Sequence, residues 1–194
     1  MEIILGSSSP FRQRLLSEAG IKHTAMFPDI DEKRIGRGED NPDKLTVLLA
    51  HAKTDALLKL DLPPCYLITS DQVVVSRGKI REKPASAKEA RKRLEEYPLH
   101  PPTTVTAVLV TNTRTKSQIV EIDRAEVRFR PIAKKAVERA IARGTIMQCC
   151  GAFDLEDPDL KPYVAEIKGD RTSVIGLPIP IVKSMLRALG YKGR

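Results

Sequence analysis

The chain has 194 residues, 41% of them hydrophobic and 30% charged, which matches an ordinary folded domain long enough to bury a core. No stretch approaches the roughly 18 consecutive apolar residues of a membrane helix, and acidic Met1-Glu2 followed only by Ile3-Ile4-Leu5 does not read as a secretory signal, so a cytoplasmic protein is expected. The formal charge of +8 admits nucleic acid. However, Lys and Arg are scattered, aromatics are only 4%, and there is no zinc finger, RNA-recognition aromatic pair or basic tail, so anionic small ligands suit the charge as well.

In chain order, Glu2 to Leu5 reads as a short strand. Ser9 can cap a helix with Pro10 at its first position, and Gly20 stops it after Leu15, Leu16 and Ala19 have formed an apolar face. Asn41-Pro42 opens a second helix in which Leu45, Leu48, Leu49, Ala52 and Ala56 recur at helical spacing, ending near Asp61 before Pro63-Pro64. Tyr66 to Thr69 is a strand running into Ser70-Asp71-Gln72, and Val73 to Ile80 has the form of a hairpin turning at Ser76 to Lys79. Ser86 with Glu89 makes a capping box for a helix from Ala87 to about Glu96. Thr103 to Thr111 and Gln118 to Arg130 are strands joined by Asn112 to Lys116. Ala133 to Arg143 is a helix stopped by Gly144, Cys149 to Pro162 reads as a loop, Tyr163 to Ile167 as a strand, and Pro178 to Leu189 as the last helix. Helices interleave with strands around a hairpin, so the expected class is α/β with a mixed sheet, in a single domain over 1–194. Cys65, Cys149 and Cys150 make an odd count without metal-ligand spacing, and reduced thiols are expected.

Five features carry possible chemistry. Ser7, Ser8, Ser9 and Arg12 lie where a strand feeds a helix N-terminus: a plain cap, or a phosphate cradle in which Arg12 forks onto oxygens. Lys53 sits at the edge of an apolar helix face, either snorkelling to water or pointing into a cleft. Asp71 follows a strand, where ligands gather in open α/β sheets, and an acid there can bind a divalent ion, take a proton from water or simply make a turn. Lys83, fixed by Pro84, can hold a second phosphate as a point charge. Asp29-Ile30-Asp31-Glu32 is a metal site or a solvated turn. Together these residue types suit a polyphosphate with a hard metal ion.

The ordered set resembles the Maf family of nucleoside triphosphate pyrophosphatases, the septum-formation proteins. The landmarks are Gly6-Ser7-Ser8-Ser9-Pro10-Phe11-Arg12, Asp29-Ile30-Asp31-Glu32, Leu49-Ala50-His51-Ala52-Lys53, Ser70-Asp71-Gln72-Val73, Lys83-Pro84, and Gly169-Asp170 through Val174, Gly176, Leu177 and Pro178. They span nearly the whole chain. The resemblance implies an elongated mixed sheet with flanking helices and a cleft between two lobes, as in Maf and ITPase-like proteins. It also implies a homodimer and metal-dependent hydrolysis of a non-standard nucleoside triphosphate to monophosphate and pyrophosphate, while the composition already speaks against a membrane or nucleic-acid partner. Asp71 and Glu32 would hold the divalent cation (Mg or Mn), with Asp71 activating water; Lys53 and Lys83 would act with them, and Ser7, Ser9 and Arg12 would bind phosphates.

Many relatives have Arg after the proline, Thr after the strand-end Asp and Gln in the late loop. Here Phe11, Gln72 and Glu156 stand instead, a trio similar to the branch acting on 7-methyl-GTP. A methylated, cationic guanine would gain about 0.5–2 kcal/mol over an aromatic face such as Phe11, and Glu156 can accept from the guanine N1–H and N2–H₂ edge. Alternatives are a dTTP/UTP pyrophosphatase of another branch, or a non-catalytic nucleotide- or DNA-binding regulator of cell division. The chain departs from the family at Glu82, where Gly is common, at Tyr97 to Pro102, where a Ser-Gly turn is common, and at Ser173, where Asn is common.

Overall fold

The structure is a computed structural model and describes residues 1–193. Seven strands form one mixed sheet: β1 (Glu2–Gly6), β2 (Thr24–Met26), β3 (Cys65–Ser76), β4 (Lys79–Arg81), β5 (Thr103–Asn112), β6 (Ser117–Phe129) and β7 (Val164–Lys168). Their order is β2-β1-β3-β5-β6-β7, with β4 paired to β3. β1 pairs parallel with both β2 and β3, while β3–β4 and β6–β7 are antiparallel. The helices are α1 (Pro10–Glu18), α2 (Glu32–Ile35), α3 (Pro42–Leu58), α4 (Ala87–Glu96), α5 (Lys134–Arg143), α6 (Arg171–Ile175) and α7 (Ile179–Ala188).

Most predicted elements form within a residue or two of their expected limits. Three short ones carried too little pattern to be read: β2, α2 and α6 are three, four and five residues long. The expected strand and hairpin around Asp71 merge, because Cys65 to Ser76 runs as one strand of twelve residues. The stretch read as a loop from Cys149 contains short 3₁₀ turns at Cys150–Ala152 and Lys161–Tyr163.

The chain divides into two compact units. The first comprises Met1–Gln72, Thr106–Asp123 and the chain from Gly176 onward. Ile4, Leu57, Cys65 and Leu67 form one of its apolar clusters and Ala50, Ala107 and Leu109 another. Small Ala50 lets α3 approach the sheet closely, and the Thr69 hydroxyl donates to the Ala50 carbonyl at 2.9 Å while lying 2.6 Å from the Thr54 hydroxyl. Gly6 ends β1 under the same helix. A Cβ there would lie 2.6 Å from Leu57 Cδ1 and 2.7 Å from Thr69 Cγ2, so a larger residue forces the Leu57 and Thr69 side chains to shift.

The second unit is Val73–Val105 with Arg124–Ile175. Its core stacks Tyr97 on Phe129 at 6.0 Å between ring centroids, with Phe153 edge-on to both. The Tyr97 hydroxyl donates to the Gly151 carbonyl at 2.5 Å. The segment from Tyr97 that departs from the family thus begins with a buried aromatic anchor. Among the described residues no helix is long and apolar enough to cross a membrane.

Candidate active site at the end of strand β3

Strand alternation gives neighbouring residues at this end of β3 opposite faces. Thr69 and Asp71 point to the side on which α3 packs, and Ser70 and Gln72 to the other. Asp71 is buried, and its Oδ1 receives the Lys53 ammonium of α3 at 2.5 Å. The same Nζ lies 2.9 Å from Glu32 Oε1 and 3.4 Å from the Ser70 carbonyl, to which it donates. Lys53 is itself buried. The lysine therefore points inward to two acids rather than snorkelling, held there by the apolar helix face around it.

Glu32 comes from α2. Asp31 caps that helix by accepting the Arg34 N–H at 3.1 Å, which turns Glu32 toward Lys53. Of the three acids in the Asp29–Glu32 stretch, Glu32 reaches the buried pair, Asp31 is a cap, and Asp29 is exposed.

Burial pushes the Asp71 carboxyl above the ordinary carboxylate range; the Lys53 and Arg12 cations pull it back down, and Glu32 adds to the rise. Loss of water makes this carboxylate a stronger base than an exposed one, while the two cations beside it favour its ionised form.

The Ser7–Arg12 turn lies in the same unit. Ser9 is the N-cap of α1, its hydroxyl accepting from the Arg12 N–H at 3.4 Å, with Pro10 at the first position. Ser7 is buried and accepts from the Ser9 N–H at 3.1 Å and from Arg12 Nη1 at 3.4 Å. Arg12 also donates through Nη1 to the Ser70 carbonyl at 3.0 Å and through Nε to the Gly176 carbonyl at 2.9 Å. Its guanidinium braces three segments, the serine turn, the end of β3 and the loop at Gly176. The cap and the cationic surroundings of Asp71 are one structure. Gln72 Nε2 donates to the Thr106 hydroxyl on β5 at 2.9 Å. Phe11 is half-buried, and the Arg14 guanidinium lies 5.8 Å from its ring centroid.

Lys83 and Glu156 belong to the second unit. Lys83 is exposed beside buried Pro84, and its neighbour Glu82 offers its carbonyl to the Gly151 N–H at 3.2 Å and to the Arg93 guanidinium. Glu156 is half-buried, receives the Arg171 guanidinium, and lies 3.5 Å from Lys161 Nζ. The hydrogen bond from Arg171 draws its carboxyl below the ordinary value, with both cations adding to the effect. Cys65, Cys149 and Cys150 form no disulfide among the described residues. Burial pushes Cys149 up to about 12, so at neutral pH it packs as a neutral thiol rather than acting as a nucleophile.

Asp71 and Glu32 present hard carboxylate oxygens converging on one cationic point, the Lys53 ammonium. Among the described residues no three His, Cys, Asp or Glu side chains cluster as a protein metal cage. Two carboxylates without nitrogen or sulphur donors fit a magnesium-type ion, which takes the rest of its shell from substrate phosphates and water.

Three features of the site carried no readable sequence signal. Thr106 is one β-branched residue in a β-branched strand, the anchoring by the Ser70 and Gly176 carbonyls uses backbone atoms, and Arg171 stands fifteen positions from the acid it pairs with.

The family described as "Maf-like protein" matches residues 2–189. A "7-methyl-GTP pyrophosphatase" of Dictyostelium discoideum is 35% identical over 95% of each chain. A "Nucleoside triphosphate pyrophosphatase" of Rippkaea orientalis is 32% identical over 97% of this chain and 90% of its own, and a "dTTP/UTP pyrophosphatase" of Dictyoglomus thermophilum 31% over 98% and 97%.

Proposed function

The chain belongs to the Maf-like proteins, and on that premise we propose that it hydrolyses a nucleoside triphosphate to the monophosphate and pyrophosphate, with 7-methyl-GTP as its preferred substrate. The observation that carries the reaction is the buried Asp71–Lys53 pair, joined by exposed Glu32, beside the Arg12-braced serine turn. Water adds across the bond between the α- and β-phosphates, and the Asp71 carboxylate takes the proton that the water gives up. Lys53 keeps Asp71 ionised and aimed, and places a fixed positive charge where the phosphates gain negative charge. Arg12, Ser7 and Ser9 hold the turn that receives the phosphates, and Lys83 supplies a further cation. Asp71 and Glu32 would hold a divalent cation, which when bound neutralises phosphate charge and lowers the pKa of a bound water.

The base preference rests on Phe11, Gln72 and Glu156. Phe11 offers an aromatic ring to which the positive charge of a 7-methylated guanine is attracted, in competition with the Arg14 guanidinium 5.8 Å from its centroid. For Glu156 to receive the guanine N–H edge, the base must share the carboxylate with Arg171 and Lys161. Both oxygens have further lone pairs to offer.

The test is pyrophosphate release with Mg²⁺ or Mn²⁺ across 7-methyl-GTP, GTP, dTTP, UTP and CTP. Preference for 7-methyl-GTP is the expected result. Preference for dTTP or UTP, the substrates for which the Dictyoglomus thermophilum relative is named, would keep the reaction and discard the base assignment. Binding without turnover would reduce the chain to a nucleotide sensor. DNA affinity that survives about 150 mM salt would favour the DNA-binding reading, because nonspecific phosphate contacts fade steeply there.

A further inference from the structure

Lys83 is exposed, yet the backbone on both sides of it is tied to one ion pair of α4, buried Arg93 with half-buried Glu89. The Glu82 carbonyl accepts from the Gly151 N–H at 3.2 Å and from Arg93 Nη1. The same guanidinium donates through Nη2 to Glu89 Oε1, and Glu89 Oε2 accepts the Ala85 N–H at 2.9 Å. Each peptide unit is planar, so fixing the Glu82 carbonyl also fixes the direction of the Lys83 N–H and Cα. Fixing the Ala85 N–H does the same for the Pro84 carbonyl, and the buried Pro84 ring removes a further rotation. Arg93 is the costly member of this arrangement. It is only 6% exposed and shares the buried face of α4 with Ala90 and Leu94. Its Nε is buried and finds no hydrogen-bond partner among the described residues. A methionine here would pack without the desolvation cost of a charge or an unpaired donor. An apolar side chain, however, cannot bridge the Glu82 carbonyl and Glu89.

We propose that Arg93, paired with Glu89, is a positioning residue for Lys83: it presets the backbone from which the lysine meets the triphosphate. The inference rests on the reading of Lys83 as a phosphate-binding cation and extends it to a side chain on the neighbouring helix. A lysine is a point charge on a flexible stem, and ordering that stem on binding costs affinity. A loose backbone beneath it would add to the cost; the brace removes that part before the substrate arrives. Two departures from the family find a place in this arrangement. A glycine at position 82 would leave the clamped backbone freer. Tyr97 secures the other donor to the Glu82 carbonyl, because its hydroxyl donates to the Gly151 carbonyl at 2.5 Å. The charge being placed meets phosphates, so its effect is the same for every base.

The experiment measures kcat/KM with Mg²⁺ for the two fastest substrates among 7-methyl-GTP, GTP, dTTP, UTP and CTP. It compares the wild type with Arg93→Met, Lys83→Met and the Arg93→Met/Lys83→Met double variant, and follows amide hydrogen exchange in the wild type and Arg93→Met. Arg93→Met keeps much of the bulk and removes both donors. It should lower kcat/KM about fivefold, the cost of ordering one long side chain, and by the same factor on both nucleotides. The Ala85 and Gly151 amides should exchange faster while those of β1 keep their wild-type rates. The double variant should match Lys83→Met alone. An unchanged kcat/KM in Arg93→Met overturns the proposal, as does a double variant worse than Lys83→Met or exchange that quickens throughout the chain. Should Arg93→Met fail to fold, Arg93→Lys, which keeps the charge without the two-pronged reach, is read by the same criteria. Full activity in Lys83→Met overturns the reading of Lys83 and the brace with it, a failure distinct from that of Arg93 alone. A wild type that hydrolyses none of the five nucleotides overturns the reaction and the proposal together.

Discussion

Asp71 and Glu156 carry the same chemical group, each bound by cations, and their surroundings tune it in opposite directions. Asp71 stands buried in a strand, where loss of water raises its carboxyl faster than Lys53 and Arg12 lower it. Glu156 stands on a half-exposed turn, where burial counts for less than the hydrogen bond from Arg171, and its carboxyl is lowered. The difference teaches that a cationic partner does not by itself decide what an acid does. In the dry site the acid is kept basic enough to accept a proton; in the wet one it is kept as a fixed negative charge, suited to recognition rather than proton transfer.

The hardest break of this contrast is Asp71→Asn, which keeps the shape and removes the base. Pyrophosphate release should fall about a thousandfold, with the circular dichroism spectrum unchanged; near-wild-type turnover would falsify the assignment of the base. Lys53→Met is next, with an expected loss of about a hundredfold in kcat/KM. It also sharpens the comparison through pH. With Asp71 as the proposed base, kcat/KM should fall as pH drops through a value above the ordinary 3.8. Because Lys53 holds that value down, its removal should move the acid limb of the profile to higher pH. A limb that stays put or moves lower would show that some other group titrates.

Glu156→Gln tests the other half. It should reduce the preference for 7-methyl-GTP over GTP by at most about tenfold, without moving the acid limb, and should change stability by less than about 1 kcal/mol because the pair is partly solvated. The mildest test is Ser9→Ala. Loss of the α1 cap should cost about 1 kcal/mol of stability in denaturant unfolding. Its effect on turnover should be smaller than that of any change at Asp71 or Lys53, since Ser7 and Arg12 still brace the turn.

The sequence by itself determined the long elements, because caps, prolines and apolar spacing act within a few residues: Ser9-Pro10 and Asn41-Pro42 start helices where expected, and Ser86 caps α4. It also placed Asp71 at the sheet and Lys53 on a largely apolar helix, and the ordered motifs named the family. Short pieces such as β2 and α6 escaped because three to five residues hold no measurable period. Only the tertiary structure decided that Lys53 turns inward to two acids, that Arg12 grips the Ser70 and Gly176 carbonyls, that Glu156 is claimed by Arg171, and that Thr106 holds Gln72. Those outcomes depend on desolvation and on partners far away in sequence, up to 164 positions for Arg12 and Gly176. Local pattern can mark a residue as able to ionise or donate, but only the folded surroundings set how strongly it does so and toward what.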